Sequence, residues 1–212
     1  MPRLALAALL LASLSLAACD NQRNDLFGEF EANVLVDGVE EQNPDDEGDD
    51  DERDGLEGEA VYTVVQTERG QEFVIGLFVG DLFDSQFDDY QYLLFRLEGD
   101  GPSVGAYAID DDPENSGARA IYADVQEPED DEDRGEGEEE DDAFIGEILT
   151  GTDGVLTISY VDQFSIRGTF RFDARGLDVR NPERFLDGEA SGRFEAVYER
   201  PSLVLNRGLE LR

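Results

Sequence analysis

The side chains in this sequence that can do chemistry are almost all carboxylates. Aspartate and glutamate together number 53, histidine is absent, and the single cysteine is Cys19. Without histidine the usual general base near neutral pH, the His-centred triads and the commonest metal ligand are all missing. A zinc site of the Cys/His kind has no ligands to draw on. No GxxxxGK[ST] or GxGxxG stretch occurs, so nothing points to nucleotide binding. A pair of carboxylates can hydrolyse a glycosidic bond. With this many acids, however, any spacing arises by chance, and there is no tryptophan to stack on a sugar ring. The composition argues against an enzyme and for a binding or structural role.

Hard cations are the chemistry that remains, because calcium takes several oxygens at close quarters. The nearest approach to an EF-hand loop starts at Asp50, with Glu52, Asp54 and Gly55 at its third, fifth and sixth positions. Its twelfth position is Val61, where a bidentate glutamate is required, so it fails. A second candidate is the acidic turn Asp110-Asp111-Asp112-Pro113-Glu114-Asn115. There Asp110, Asp112 and Glu114 are candidate ligands for a calcium ion, and a solvated turn is the competing reading. No other cofactor is expected.

Cys19 belongs to a different chemistry. It closes the stretch MPRLALAALLLASLSLAAC, in which Arg3 precedes an apolar run from Leu4 to Leu16. That run is shorter than the roughly 20 residues needed to cross a bilayer. A charged start, a short apolar core and small residues before a cut site make a secretory signal. Leu16-Ala17-Ala18-Cys19 resembles a bacterial lipobox. The resemblance implies cleavage after residue 18, lipid on the Cys19 sulfur, and retention on a membrane. A blocked sulfur leaves no disulfide and no thiolate nucleophile. The expected organisation is a signal peptide over 1–18, the acylated Cys19 with a short tether to residue 26, and one β-domain over 27–212. Asp20–Asp25 spans at most about 20 Å, so the domain would sit against the membrane of the cell envelope. Asp20 behind the cysteine retains lipoproteins at the inner membrane in some bacteria and not in others; the outer membrane is the expected location.

The elements that must position any site are strands. Phe164, Ile166, Gly168, Phe170, Phe172 and Ala174 alternate with Ser165, Arg167, Thr169, Arg171 and Asp173. Ala190, Gly192, Phe194, Ala196 and Tyr198 alternate with Glu189, Ser191, Arg193, Glu195 and Glu199, and 28–36 repeats the pattern. Period two with one apolar face is the mark of antiparallel strands. Further strands are predicted over 60–67, 71–79, 90–98, 104–109, 118–125, 143–149 and 154–161. Residues 81–94 have room for one helical turn. Asp-Gly pairs at 37–38, 153–154 and 187–188 carry turn chemistry. About ten strands with short connections predict an all-β fold, either an antiparallel β-sandwich or a closed β-barrel. A recurring Gly-x-Phe, at Gly28, Gly168 and Gly192, reads as a packing device in which a ring covers the gap a glycine leaves.

The stretch DGVLTISYVDQFSIRGTFRFDA with the later DGEASGRFEAVY is similar to small β-rich lipoproteins of unknown function from Gram-negative bacteria. Gly105-Ala106-Tyr107 resembles their upstream Gly-x-Tyr strand. The resemblance implies a β-domain on a lipid anchor and carries no catalytic residue with it. The partners expected are the membrane and an envelope protein, with no nucleic acid. A lipocalin-like carrier of an apolar molecule is the alternative, since Phe30, Phe170, Phe172, Phe194 and Tyr198 share inward phases.

Charge sets the last constraint. The net charge is −37 and every cation is an arginine. Nucleic acid is excluded as a partner, because its binding runs on basic residues that neutralise phosphates. Residues 40–54 hold ten acids and 127–142 hold twelve, yet the rest of the mature chain still sets 31 acids against 13 arginines. The two runs are expected to be long disordered acidic loops, over 40–57 and 126–142, inserted between strands. High-GC coding accounts for missing lysine, but acidity over the whole surface favours adaptation to high salt, where screening weakens self-repulsion. Thermal melts in dilute buffer and in molar salt check this: the transition should rise in salt, and an unchanged transition would refute it.

Overall fold

The alternating stretches fold as read, and they close on themselves. The computed structural model describes residues 28–41, 55–67, 70–79, 89–99, 101–112, 117–126, 144–179, 181 and 183–200. The strands are β1 (Gly28–Val36), β2 (Val39–Glu40), β3 (Leu56–Thr67), β4 (Gly70–Val79), β5 (Asp89–Glu98), β6 (Gly105–Asp110), β7 (Arg119–Gln126), β8 (Phe144–Val161), β9 (Ser165–Asp178) and β10 (Phe185–Tyr198). Hydrogen bonding runs β1-β3-β4-β5-β7-β8-β9-β10, and β10 pairs back onto β1. Eight antiparallel strands therefore make a closed barrel, with β2 and β6 outside the ring and no helix among the described residues. Of the two architectures expected, the barrel is the one adopted.

Inward positions fill the barrel. Phe30, Phe73, Phe95, Phe170, Phe172 and Phe194 are all buried in one cluster. The Phe95 ring lies 5.0 Å from Phe170 and 5.9 Å from Phe172, and the latter two are 6.1 Å apart. Eight strands leave an interior just wide enough for side chains to occupy. A second, smaller cluster of Val61, Val74, Phe78 and Leu94 lies on the outward phase of β3–β5, which is why β4 is apolar on both faces. Tyr198 and Phe164 do not share the interior expected of them: each lies at an end of the barrel and is exposed.

The Gly-x-Phe motif is a cross-strand lock. Gly168 pairs with Phe194 and Gly192 with Phe170, so each glycine faces an aromatic ring on the neighbouring strand. A Cβ at Gly192 would stand 2.8 Å from Phe170 Cζ and 2.4 Å from the Glu31 carbonyl oxygen. A Cβ at Gly168 would stand 2.6 Å from Phe194 Cζ.

Four expectations change. Asp37 and Gly38 do form a tight turn between β1 and β2, both with positive φ (51° and 78°). Asp153-Gly154 and Asp187-Gly188 instead lie inside β8 and β10, because β9 pairs with both strands across those positions. For the same reason the two strands expected over 143–161 are one, with a bulge between Gly151 and Asp153. The strand expected over 90–98 is present as β5, held between β4 and β7, and the described part of 81–94 is strand with no helical turn. The first acidic loop is also shorter than 40–57: Glu40 pairs with Leu35, and Leu56 is buried opposite Ala32. The bulk of both acidic runs lies outside the described residues, as do residues 81–88.

Replacing Gly192 by valine should cost about 3 kcal/mol, since both an overpacked ring and the backbone must move. Glu189→Val on the outward phase of the same strand should stay within about 0.5 kcal/mol. Urea denaturation of the two variants checks the difference.

Candidate functional site

Register places a row of polar side chains on the inner face of the barrel at one end. Leu93, Phe95 and Leu97 of β5 point inward and are buried, so Gln91 two residues earlier continues that phase. On β7 the inward phase runs Ala120, Tyr122, Asp124, and on β8 it runs Leu149, Glu147. Gln91 pairs with Asp124, Asp124 with Glu147, and Glu147 with Asp178 of β9. Four neighbouring strands thus present Gln91, Asp124, Glu147 and Asp178 side by side, at the level where apolar filling stops. We term this end the mouth and the opposite end the base.

Glu41 completes the row from across the opening. Its backbone N–H, just past β2, donates to the Val34 carbonyl at 2.8 Å. Its side chain accepts from Gln91 Nε2 at 3.2 Å. Burial, and then the charges of Glu147 and Asp124, push the Glu41 carboxyl up to about 7. Burial first, with Asp124 and Asp178 behind it, also raises Glu147. Desolvation and like charge both favour the protonated form of a carboxyl, and here they act together.

The cation whose field reaches Glu147 is Arg184, ahead of β10. It is itself committed: Nη2 lies 2.8 Å from Asp37 Oδ2, and Nη1 lies 3.7 Å from Asp178 Oδ2. That pairing, with the Asp187 backbone amide, holds Asp37 below the usual carboxylate range. Deeper in the mouth, Tyr122 is 1% exposed and Gln91 is 7% exposed. The Tyr122 hydroxyl stands against the Glu41 carboxyl and is raised mainly by burial, then by the charges of Glu41 and Asp124. Gln91 Oε1 is buried without a partner among the described residues.

The sequence candidates fall elsewhere. Asp110 ends β6 and accepts from the Asp112 backbone amide at 2.9 Å, closing a local turn. This turn lies in the excursion between β6 and β7, which pair end to end along the single strand β8. Glu114 and Cys19 lie outside the described residues. Among the described residues no three acids are close enough to share a metal ion. The mouth escaped notice in the sequence, although its signal was there: Asp124 and Glu147 are acids in phase with the buried face of their strands. No protein-family model matches this chain, and no characterised protein and no solved structure does either.

Glu41 binds its proton more tightly folded than unfolded, where 4.5 is the ordinary value. The stability this proton contributes is complete below about pH 4.5 and is lost as pH rises through about 7. Glu147 acts with the same sign. At fixed high salt the melting temperature should therefore fall between about pH 5 and about pH 8, and Glu41→Gln should flatten that slope. An equally steep slope in the variant would remove Glu41 from the account.

Proposed function

We propose that this protein is a lipid-anchored, acidic β-barrel of the cell envelope with a binding role, held so that its mouth faces away from the membrane. The observation that carries this reading is the placement of the two ends. β1 begins at Gly28 at the base, where it pairs with Ala60, so the chain leading back to Cys19 leaves from the base. The β5–β6 and β8–β9 connections share that end. Asp124, Glu147 and the flanks of both acidic runs lie at the other.

Exposed apolar side chains stand at both ends, with Phe185 and Val39 at the mouth, so the start of β1 is what singles out the base as the end nearer lipid. Phe164, in the β8–β9 turn, is 69% exposed, and Val104, Tyr160 and Tyr198 around it are exposed as well. Phe164 is fixed in place: its carbonyl accepts from the Tyr198 amide at 2.9 Å, and its own amide donates to Asp162 Oδ1 at 2.8 Å. Tyrosine and phenylalanine at a rim suit the interface of a bilayer, with apolar bodies inward and polar tips wet. A tether of a few residues keeps that rim within reach of the headgroups. The packed aromatic interior supports a binding role at the mouth over a carrier's cavity inside the barrel.

Two measurements test the reading. Cys19→Ala should abolish incorporation of labelled palmitate and leave the protein out of the membrane fraction. The chain has no tryptophan, so Phe164→Trp and Phe185→Trp each create a single reporter, at the base and at the mouth. On vesicles containing brominated phosphatidylcholine, the fluorescence of the acylated Phe164→Trp protein should be quenched and that of the Phe185→Trp protein should not. Equal quenching of the two would reject this orientation.

A further inference from the structure

One wall of the barrel is apolar on its outside. Val61 of β3, Val74 and Phe78 of β4 and Leu94 of β5 form a cluster of their own on the outward phase. Register sets Val61 opposite Gly76, Gly76 opposite Leu94 and Leu94 opposite Ile121, a straight row across four strands. The gap at Gly76 is closed by a ring, since a Cβ there would stand 2.4 Å from Phe78 Cε2. Side chains on the outside of a single wall of strands keep a face to water unless a second layer lies over them. Yet Val61 and Leu94 are each 1% exposed, and Val74 and Phe78 are no more than 8% exposed. All the described strands belong to one sheet, so none of them supplies that layer. Thr63, on the same phase, is as deeply buried, and its hydroxyl has no hydrogen-bond partner among the described residues. A buried hydroxyl calls for a partner, and the backbone of a covering segment carries both donors and acceptors.

We propose that the covering layer is the chain's own C-terminal segment, residues 201–212, which lies outside the described residues and crosses the outer face of β3, β4 and β5 as a strap. The chain leaves the barrel beside this wall. β10 runs past the start of β1 and pairs directly with β3, Val197 with Val61 and Tyr198 with Tyr62. The Glu199 amide then donates to the Tyr62 carbonyl at 2.8 Å. Val197 packs against the outer cluster, so the segment starts at its margin. Pro201 has no N–H with which to continue that ladder, and the chain is free to turn off the edge of β3.

The remaining sequence suits the face. In SLVLNRGLELR, Leu203, Leu205, Leu209 and Leu211 share one phase of an extended chain, interrupted only by Arg207. The other phase carries Ser202, Asn206 and Glu210, with Val204 its one large apolar residue. Twelve residues reach about 40 Å when extended, whereas four strands span only about 15 Å of wall. The acidic runs 42–54 and 127–142 contain no leucine, isoleucine, valine or aromatic residue with which to cover it. Residues 80–88 join β4 to β5 at the mouth, away from Val61 and Thr63 near the base. The cluster is shut off within one copy of the chain, so neither a second copy nor lipid is needed over it. This inference rests on neither the lipid anchor nor the mouth.

Photocrosslinking of the full chain tests it, with benzoylphenylalanine in place of Val65 or Tyr92, both half-buried at the margins of the cluster. Mass spectrometry should find each joined to a peptide within 201–212, and the same group in place of Phe185 at the mouth should not be. Crosslinks from neither margin to 201–212 would overturn the inference, as would crosslinks to 20–27, to 80–88 or to a second copy in its place. A chain ending at Arg200 should melt about 5 °C or more below the full chain and bind severalfold more of an apolar dye such as ANS. Leu205→Ser combined with Leu209→Ser should move both readings the same way. Unchanged melting and dye binding in both would overturn the strap. If the shortened chain does not fold, the crosslinks on the intact chain decide alone.

Discussion

The whole fold depends on β1 accepting a neighbour on each edge. This nine-residue strand pairs with β3 over its first half and with β10 along nearly its whole length, from Glu29 opposite Glu195 to Val36 opposite Gly188. Without it, β3 and β10 would meet only where Val197 and Tyr198 pair with Val61 and Tyr62, and the rest of each would be open edge, ready to pair with other chains. Closure requires backbones to come close at the seam, and glycine makes that approach. A Cβ at Gly28 would lie 1.7 Å from the Glu195 carbonyl oxygen, and one at Gly58 would lie 2.1 Å from that of Phe78. The side chains absent at Gly168 and Gly192 are replaced by rings from across the strand pair, so the barrel gains curvature without losing filling.

Closure also decides where polar groups can be buried. A filled barrel of this size has room for a row of water-facing side chains only at its ends. At the mouth, four strands reach the same level in register, so acids that a flat sheet would spread along an edge are drawn into a ring. Crowding them there raises Glu41 and Glu147 together. Such an arrangement opposes stability once these carboxyls ionise.

Much of this was legible in the sequence, and the illegible part has a physical cause. Period two in 28–36, 165–174 and 188–198 gave strand type and buried face, because one-sided burial imposes that period directly. Local turn chemistry misled at Asp153-Gly154 and Asp187-Gly188. There, pairing with β9 along both flanks overrides the turn preference, and each glycine serves a close contact instead, Gly154 against Phe172 and Gly188 against Leu149 and Leu35. Register between distant strands leaves no trace in a single sequence. For that reason Gln91, Asp124 and Glu147 looked like three unrelated polar residues, and Glu41 looked like the start of an acidic run.

The outer face shows why burial, and not acidity, distinguishes the mouth. On β1, β10 and β9, arginines pair with acids across the strands: Arg193 grips Glu31 through two contacts of 2.6 and 3.0 Å, and Arg167 and Arg175 pair with Glu195 and Asp187. The Arg193–Glu31 and Arg167–Glu195 pairs line a surface groove of about 560 Å³ near Gly168 and Gly58, and Arg175 and Asp187 line a second of about 580 Å³. All three pairs are exposed, so each contributes little and weakens as salt rises. Their use is to spread cations over a surface that would otherwise repel itself, and guanidinium does this well because its fork engages a carboxylate at two points. At the mouth the nearby arginine is already held by Asp37 and Asp178, the carboxylates are shielded from water, and salt screens them far less. An acid on the outer face stays hydrated and ionised, whereas burial among like charges pushes the same side chain at Glu41 toward its protonated form.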